Sequence, residues 1–362
     1  MRIVVKIGTS SITDASGALT EAPMAKLCAE IAALRAEHHQ VVLVTSGAIS
    51  AGVPALTLGE RPRDPVTLQA ISAVGQIHLM AIYDRLLAAH GLVSGQLLLS
   101  PMDFFERSQY LHARGCIERL LELGVVPVIN ENDAVADDAI RFGDNDRIAA
   151  LVAHLVTADV LVLLTDAPGL LTADPREDDS ASLIEEITSV DHSLEMLAGG
   201  AGSVRGSGGM ATKLAAAKIA AWSGVRTVIA AASRPDVVGD AVLGVPGVGT
   251  AVRPRNTRLS ARRLWIAFAL PAAGALTVDD GARRALLERG RSLLPVGVTG
   301  VKGSFVAGDA VDVAGPDGAV FAKGLVRADV SQLERMLGQR TESLADTDPD
   351  EVIHRDELVL LP

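Results

Sequence analysis

At 362 residues, 49% hydrophobic and only 3% aromatic, the chain has apolar side chains enough for a sizeable core, which must be built from Val, Leu, Ile and Ala. Such a composition suits helices packed on a parallel sheet and excludes a disordered chain or an aromatic-rich sandwich. A net charge of −11 disfavours nucleic acid and acidic membranes as general partners, and two cysteines, Cys28 and Cys116, make neither a disulfide framework nor a CxxC pair.

A reducing cytoplasm is therefore the expected location. Lys6 interrupts the first apolar run, so no signal-peptide core is expected there, and the uncharged stretch from Leu264 to Val278 contains Pro271 and Gly274 and is too short to cross a bilayer. No membrane segment is expected.

Short apolar, mostly β-branched runs at Ile3 to Ile7, Val41 to Val44, Val93 to Leu99, Val125 to Ile129, Val160 to Leu164 and Val225 to Ala230 predict six buried strands. Between them lie helical spacings such as Met24, Leu27, Cys28, Ile31 and Leu34, and Leu79, Ile82, Tyr83 and Leu86. The alternation predicts an α/β fold, a doubly wound, mainly parallel sheet with helices on both faces, whose ligands gather at the strand C-termini.

Four of those strand ends carry polar or glycine punctuation. The first closes on Lys6-Ile7-Gly8-Thr9-Ser10, where backbone and hydroxyl donors follow a lysine; this suits an anion, or else a surface lysine beside a turn. Thr45-Ser46-Gly47-Ala48 ends the second and reads equally well as a helix cap. The fourth runs into Asn130, Glu131, Asn132 and Asp133, then Asp137, Asp138, Asp144, Asn145 and Asp146, before Ile148, Leu151, Val152 and Leu155 open a helix. Spacing alone leaves this stretch either a ligand site or an acidic surface loop with Asp144 as a cap. Thr165-Asp166 ends the fifth strand.

From Ala198 to Lys213 the chain is glycine-rich, and Gly208-Gly209 leads into a helix marked by Met210, Leu214 and Ala217. Backbone without side chains can approach a phosphate closely, whereas the alternative is a flexible linker. Lys213 falls near the start of that helix, where a cation is unfavourable unless an anion joins it. The P-loop pattern GxxxxGK[ST] occurs nowhere. Gly206 to Ala211 matches GxGxxA, but it follows a Gly/Ser loop rather than a strand, so no dinucleotide fold is inferred.

The segments VVKIGTSSIT, VTSGAISAG, VVPVINENDAV, FGDND, LLTDAPGLLTADPR and SGGMATK, in this order and spacing, closely resemble the glutamate 5-kinases of the amino-acid kinase family. The resemblance implies transfer of the γ-phosphate of ATP to the side-chain carboxylate of L-glutamate, giving L-glutamyl 5-phosphate for proline synthesis. It also implies Mg²⁺, feedback inhibition by proline and a homo-oligomer. A glutamate carboxylate has a pKa near ~4.3 and is already ionised, so the chemistry needs no general base and consists of positioning and of offsetting repulsion between anions. By resemblance Lys6 lies at the transferred phosphate and Lys213 at the nucleotide phosphates, with Gly8, Ser207, Gly208, Gly209, Met210, Ala211 and Thr212 around them. Thr165 and Asp166 match the nucleotide-binding step, Ser46, Asp133 and Asn145 the glutamate contacts, and Asp146 a supporting catalytic role. Ser207 stands where threonine is usual, and Val53 to Pro65 departs more freely from the family pattern. No protein metal ligands are assigned.

Past Arg255 the character changes. Residues 253 to 263 are basic and read as a linker, and from Gly274 the sequence is rich in strands and in Gly and Pro turns, resembling a PUA domain. The expected layout is a kinase domain over 1–256, a linker over 257–273, a smaller β-rich PUA-like domain over 274–352 and a tail over 353–362. Residues 274–362 hold 10 basic and 15 acidic side chains, so a structural or regulatory role is favoured over RNA binding. Two other function classes fit less well: an RNA-binding or regulatory protein with an inactive kinase-like domain, and a kinase for another amino-acid carboxylate such as acetylglutamate or aspartate.

Overall fold

The computed structural model describes residues 1–59, 61–104, 106–135, 145–174, 178, 180–198, 209–268, 270–340, 343–345 and 348–361. The chain divides into two compact units, Met1–Arg258 and Leu259–Pro362.

The first unit is built on an eight-stranded sheet of β1 (Arg2–Ile7), β2 (Gln40–Val44), β3 (Ser94–Leu99), β4 (Val126–Glu131), β5 (Val160–Thr165), β6 (Glu186–Ile187), β7 (Arg226–Ala231) and β8 (Gly249–Val252), in the spatial order β3-β4-β2-β1-β5-β7-β8-β6. The strands from β3 to β7 in that order run parallel, β8 is antiparallel to β7, and β6 is parallel to β8. Five of the six apolar runs form interior strands, and Ile3, Val4, Val5 and Ile7 are at most 1% exposed because helices cover both faces of the sheet. The run at Val93 to Leu99 is the exception. Among the described residues β3 pairs only with β4, and Val93 and Leu98 face solvent. The unforeseen strands β6 and β8 are two and four residues long, too short to give an apolar run.

Register fixes the business edge. Val5 pairs with Leu43 and Val162, and Leu43 with Val128, so the C-terminal ends of the four adjacent strands β4, β2, β1 and β5 emerge side by side. After β4 the chain crosses back over the sheet to β5 through helix Asn145–Leu155, which packs on β4, β2, β1 and β5. Its N-terminus sits where the strand order reverses, the usual position of a ligand crevice in an open α/β sheet. Helix Met210–Trp222 packs beside it.

Helix Pro65–Ala88 is long and apolar enough to cross a membrane by length and composition. In this fold it lines the sheet, burying Ile71, Leu79, Tyr83 and Leu87 together with Ser72, Gly75 and Gln76. It crosses helix Ala48–Ala55 backbone to backbone: a Cβ on Gly75 would lie 1.8 Å from the Ala48 carbonyl oxygen, and one on Gly52 would lie 2.1 Å from that of Ile71. Only glycine permits that approach.

The second unit holds a five-stranded sheet of β9 (Gly274–Val278), β10 (Val298–Gly303), β11 (Ala310–Ala314), β12 (Val320–Leu325) and β13 (Leu358–Leu360), ordered β10-β9-β11-β12-β13. β11 and β9 are parallel and the other pairs antiparallel. Its own core includes Leu276, Val278, Leu293, Val311, Phe321 and Ile353. Two boundaries differ from the expected layout. Within the expected linker, helix Ala261–Phe268 packs on β12 and β13 with Leu264 and Ile266 buried and Arg262 exposed. Within the expected tail, β13 adds an edge strand to the sheet through Leu358 and Val359.

Candidate active site

Lys6, the penultimate residue of β1, is only 4% exposed, which a strand lysine tolerates only with a partner. That partner is Asp146, in the first turn of helix Asn145–Leu155, where a carboxylate also suits the helix dipole. Lys6 Nζ lies 2.7 Å from Asp146 Oδ1, and Lys213 Nζ lies 3.1 Å from Oδ2. Lys213 stands in the first turn of helix Met210–Trp222, the end a cation disfavours, and the shared carboxylate offsets that. The Thr212 hydroxyl is shared between Asp146 Oδ2 at 3.0 Å and the Gly209 carbonyl oxygen at 2.8 Å. Burial alone would push the Asp146 carboxyl up, but the two ammonium charges and their hydrogen bonds outweigh it and hold its pKa below the ordinary carboxylate value. One ionised, buried carboxylate thus ties together two lysines that are about 200 residues apart in sequence.

Around this trio the strand ends supply small polar groups. A Cβ on Gly8 would lie 3.3 Å from Lys6 Nζ, so glycine keeps that approach open. Ser46 Oγ donates to the Ile7 carbonyl oxygen at 3.3 Å and accepts from Thr9 Oγ1 at 3.0 Å, which ties the end of β2 to the end of β1. At the end of β5, Thr165 is buried and its hydroxyl donates to Asp166 Oδ1 at 3.0 Å, while Asp166 itself is exposed.

At the end of β4 the groups are amides and hydroxyls rather than lysines. Ser72 Oγ donates to Asp133 Oδ2 at 2.8 Å. Burial raises the Asp133 pKa, with the Ser72 hydroxyl and the Arg61 charge pulling part of that back. Asn130 Nδ2 donates to Gln76 Oε1 at 2.8 Å, and the Glu131 amide N–H is shared between Asn130 Oδ1 at 2.9 Å and Asn145 Oδ1 at 3.1 Å. Tyr83 OH is 2.8 Å from Thr45 Oγ1, beside Ser46.

The structure therefore gathers Lys6, Gly8, Asp146, Thr212 and Lys213 in one cluster, sets Ser46 and Thr165 on neighbouring strand ends, and places Asp133 and Asn145 at the end of β4. Gly209 is the N-cap of its helix, followed by half-buried Met210 and exposed Ala211. Ser207 and Gly208 lie outside the described residues, as do Asp137, Asp138 and Asp144. What sequence reasoning missed is the contribution of helix Pro65–Ala88: Ser72, Gln76 and Tyr83. Their signal was polar side chains recurring at i and i+4 on an otherwise apolar helical face. Among the described residues no group of three or more His, Cys, Asp or Glu side chains could hold a metal ion.

Residues 1–231 match the amino acid kinase family and residues 274–346 match the PUA domain. The chain is 45% identical to a glutamate 5-kinase from Burkholderia multivorans, the match covering 99% of this chain and 98% of that one. It is 44% identical to a glutamate 5-kinase from Pelobacter propionicus, over 99% of this chain and 97% of the other. Among solved structures, a carbamate kinase from Giardia lamblia bound to AMP-PNP superposes with a TM-score of 0.50 at 17% identity, covering 70% of this chain and 98% of that chain, a likeness of fold alone.

Proposed function

The chain belongs to the amino acid kinase family, and on that basis we propose that it phosphorylates the side-chain carboxylate of L-glutamate with ATP, yielding L-glutamyl 5-phosphate and ADP, the entry step of proline synthesis. Full-length kinship with glutamate 5-kinases supports the substrate pair. The observation that carries the mechanism is the single buried carboxylate of Asp146 holding both Lys6 and Lys213 at the strand-order reversal. A carboxylate oxygen of glutamate forms a bond to the γ-phosphorus, the bond from that phosphorus to the β–γ bridging oxygen breaks, and the electron pair leaves on ADP. No proton need be moved, because the nucleophile is ionised at neutral pH.

The task left to the protein is to bring two anions together and to stabilise charge as it shifts between two oxygens. Lys6 meets the transferred phosphoryl group and Lys213 the nucleotide phosphates, with the Gly209 to Thr212 backbone beside them and Asp146 orienting both ammonium groups. Thr165 and Asp166 serve the nucleotide. Asp133 pairs with the α-ammonium of glutamate, and Ser46 and the Asn145 amide hydrogen-bond its carboxylates without adding charge. Mg²⁺ enters as part of the substrate, held by the phosphates of ATP, in keeping with the cation's preference for phosphate and water ligands. Proline as feedback inhibitor, a homo-oligomeric assembly and a cytoplasmic location complete the reading; the acidic balance of the PUA domain favours a regulatory role for it over RNA binding.

The test is ATP turnover with L-glutamate, N-acetyl-L-glutamate and L-aspartate side by side, trapping the acyl phosphate with hydroxylamine. A hydroxamate formed from glutamate well above the other two is expected; equal or greater yield from another acceptor would reassign the substrate.

A further inference from the structure

Helix Pro65–Ala88 places Ser72 and Gln76 one turn apart, at 4% and 6% exposure, on the face that meets the end of β4. A buried serine on an apolar helical face needs a hydrogen-bond partner, and Ser72 finds Asp133 at 2.8 Å. Gln76 accepts from Asn130 Nδ2 at 2.8 Å, while its own Nε2 is buried with no hydrogen-bond partner among the described residues. The chain of bonds then runs on: the Oδ1 of Asn130, turned away from Gln76, shares the Glu131 N–H with the Oδ1 of Asn145. Because an N–H can meet only an oxygen there, the network fixes which way both asparagine amides face. Asn145 is left with its Nδ2 end, the donor, for a ligand.

We propose that Ser72 and Gln76 are positioning residues for L-glutamate, Ser72 by orienting the Asp133 carboxylate and Gln76 by setting, through Asn130 and the Glu131 amide, the direction of the Asn145 side chain. This rests on the assignment of Asp133 and Asn145 to glutamate made above. A hydroxyl that donates to one carboxylate oxygen fixes its rotamer and leaves the other oxygen for the α-ammonium. Glutamate binding therefore depends on a helix that supplies none of the residues assigned to contact it. The dependence is on binding rather than on the phosphoryl transfer, since neither residue touches Lys6, Asp146 or Lys213 among the described contacts.

The experiment is steady-state kinetics of the full-length chain with ATP and L-glutamate, comparing wild type, Ser72→Ala, Gln76→Met, Asp133→Asn and the Ser72→Ala/Asp133→Asn double variant. Ser72→Ala is expected to raise the glutamate KM about tenfold and to leave kcat and the ATP KM within about twofold. Within the Asp133→Asn background the same change should alter the glutamate KM by less than about twofold, because its route of action is gone. Gln76→Met, which keeps length and removes the amide, should raise the glutamate KM about threefold with the same split. Unchanged glutamate KM in Ser72→Ala, equal rises in both KM values, or additivity in the double variant would overturn the proposal. Should Ser72→Ala fail to fold, the Gln76→Met split alone decides whether the proposal stands. A wild type that does not turn over glutamate would instead overturn the function itself, whereas an active wild type with indifferent variants would overturn only the positioning roles.

Discussion

The two halves of the site solve different problems with different chemistry. Beside β1 and helix Met210–Trp222 the groups are charged: Lys6 and Lys213 on the one carboxylate of Asp146, all at most 4% exposed. At the end of β4 they are mostly neutral amides and hydroxyls around the buried acids Glu131 and Asp133, and burial pushes the Asp133 pKa up. The first arrangement suits a phosphoryl group whose charge moves during the reaction, since fixed cations act most strongly on charge that develops in the transition state. The second suits the α-ammonium and α-carboxylate of an amino acid, whose charges do not change in the reaction and must only be recognised. Substitutions in the charged half should therefore show in turnover, and substitutions at β4 in the glutamate requirement.

The largest effect is expected at Asp146. Asp146→Asn keeps the shape and removes the charge, leaving two buried ammonium groups without their shared carboxylate, a loss of about 3 to 5 kcal/mol of folding stability. Denaturant unfolding measures it, and kcat should fall by about 10² to 10³ as both lysines lose their orientation. A variant as stable and as active as wild type would dissolve the distinction between the halves.

Asp133→Asn should raise the glutamate KM roughly ten- to a hundredfold with little change in the ATP KM, as expected for one charged hydrogen bond. Its pH dependence sharpens the comparison. On the proposed assignment the Asp133 carboxylate meets the α-ammonium only when ionised, and its pKa lies above the ordinary Asp value because of burial, so kcat/KM for glutamate should decline as pH falls through that raised pKa. Asp133→Asn should flatten this acid limb. An unchanged limb would assign it to another group.

The smallest effect belongs to the support. Gly75→Ala puts a Cβ 1.8 Å from the Ala48 carbonyl oxygen, so helix Pro65–Ala88 must move off helix Ala48–Ala55. Overpacking of this kind costs about 1 to 3 kcal/mol. Because Ser72 and Gln76 ride on that helix, the glutamate KM should rise several-fold, on the order of one weakened hydrogen bond, before the ATP KM does. Equal changes in both would show that the helix supports the whole cleft rather than one half.

The same contrast governs what the sequence made legible. Interior strands announced themselves because burial on both faces demands unbroken apolar runs, and the polar residues that close β1, β2, β4 and β5 stood out against them. Lys213 was conspicuous because a cation is out of place at a helix N-terminus. That Asp146 would hold Lys6 as well was not legible, since the pairing depends on a crossover helix bringing residues from opposite halves of the domain together. At β4, Ser72 and Gln76 look like ordinary polar positions until the Gly52 and Gly75 contact fixes which face of their helix turns inward. The run of arginines between 253 and 263 concealed the helix at Ala261–Phe268 in the second unit, and the three-residue β13 was too short to read.

The most direct test of the division is kcat and the glutamate KM measured together in Lys213→Ala, at saturating ATP and with the fold verified. A fall in kcat of about 10² to 10³ with a glutamate KM within about twofold of wild type is the expected result. Near-normal turnover, or a glutamate KM that rises by the factor kcat was to lose, would contradict it.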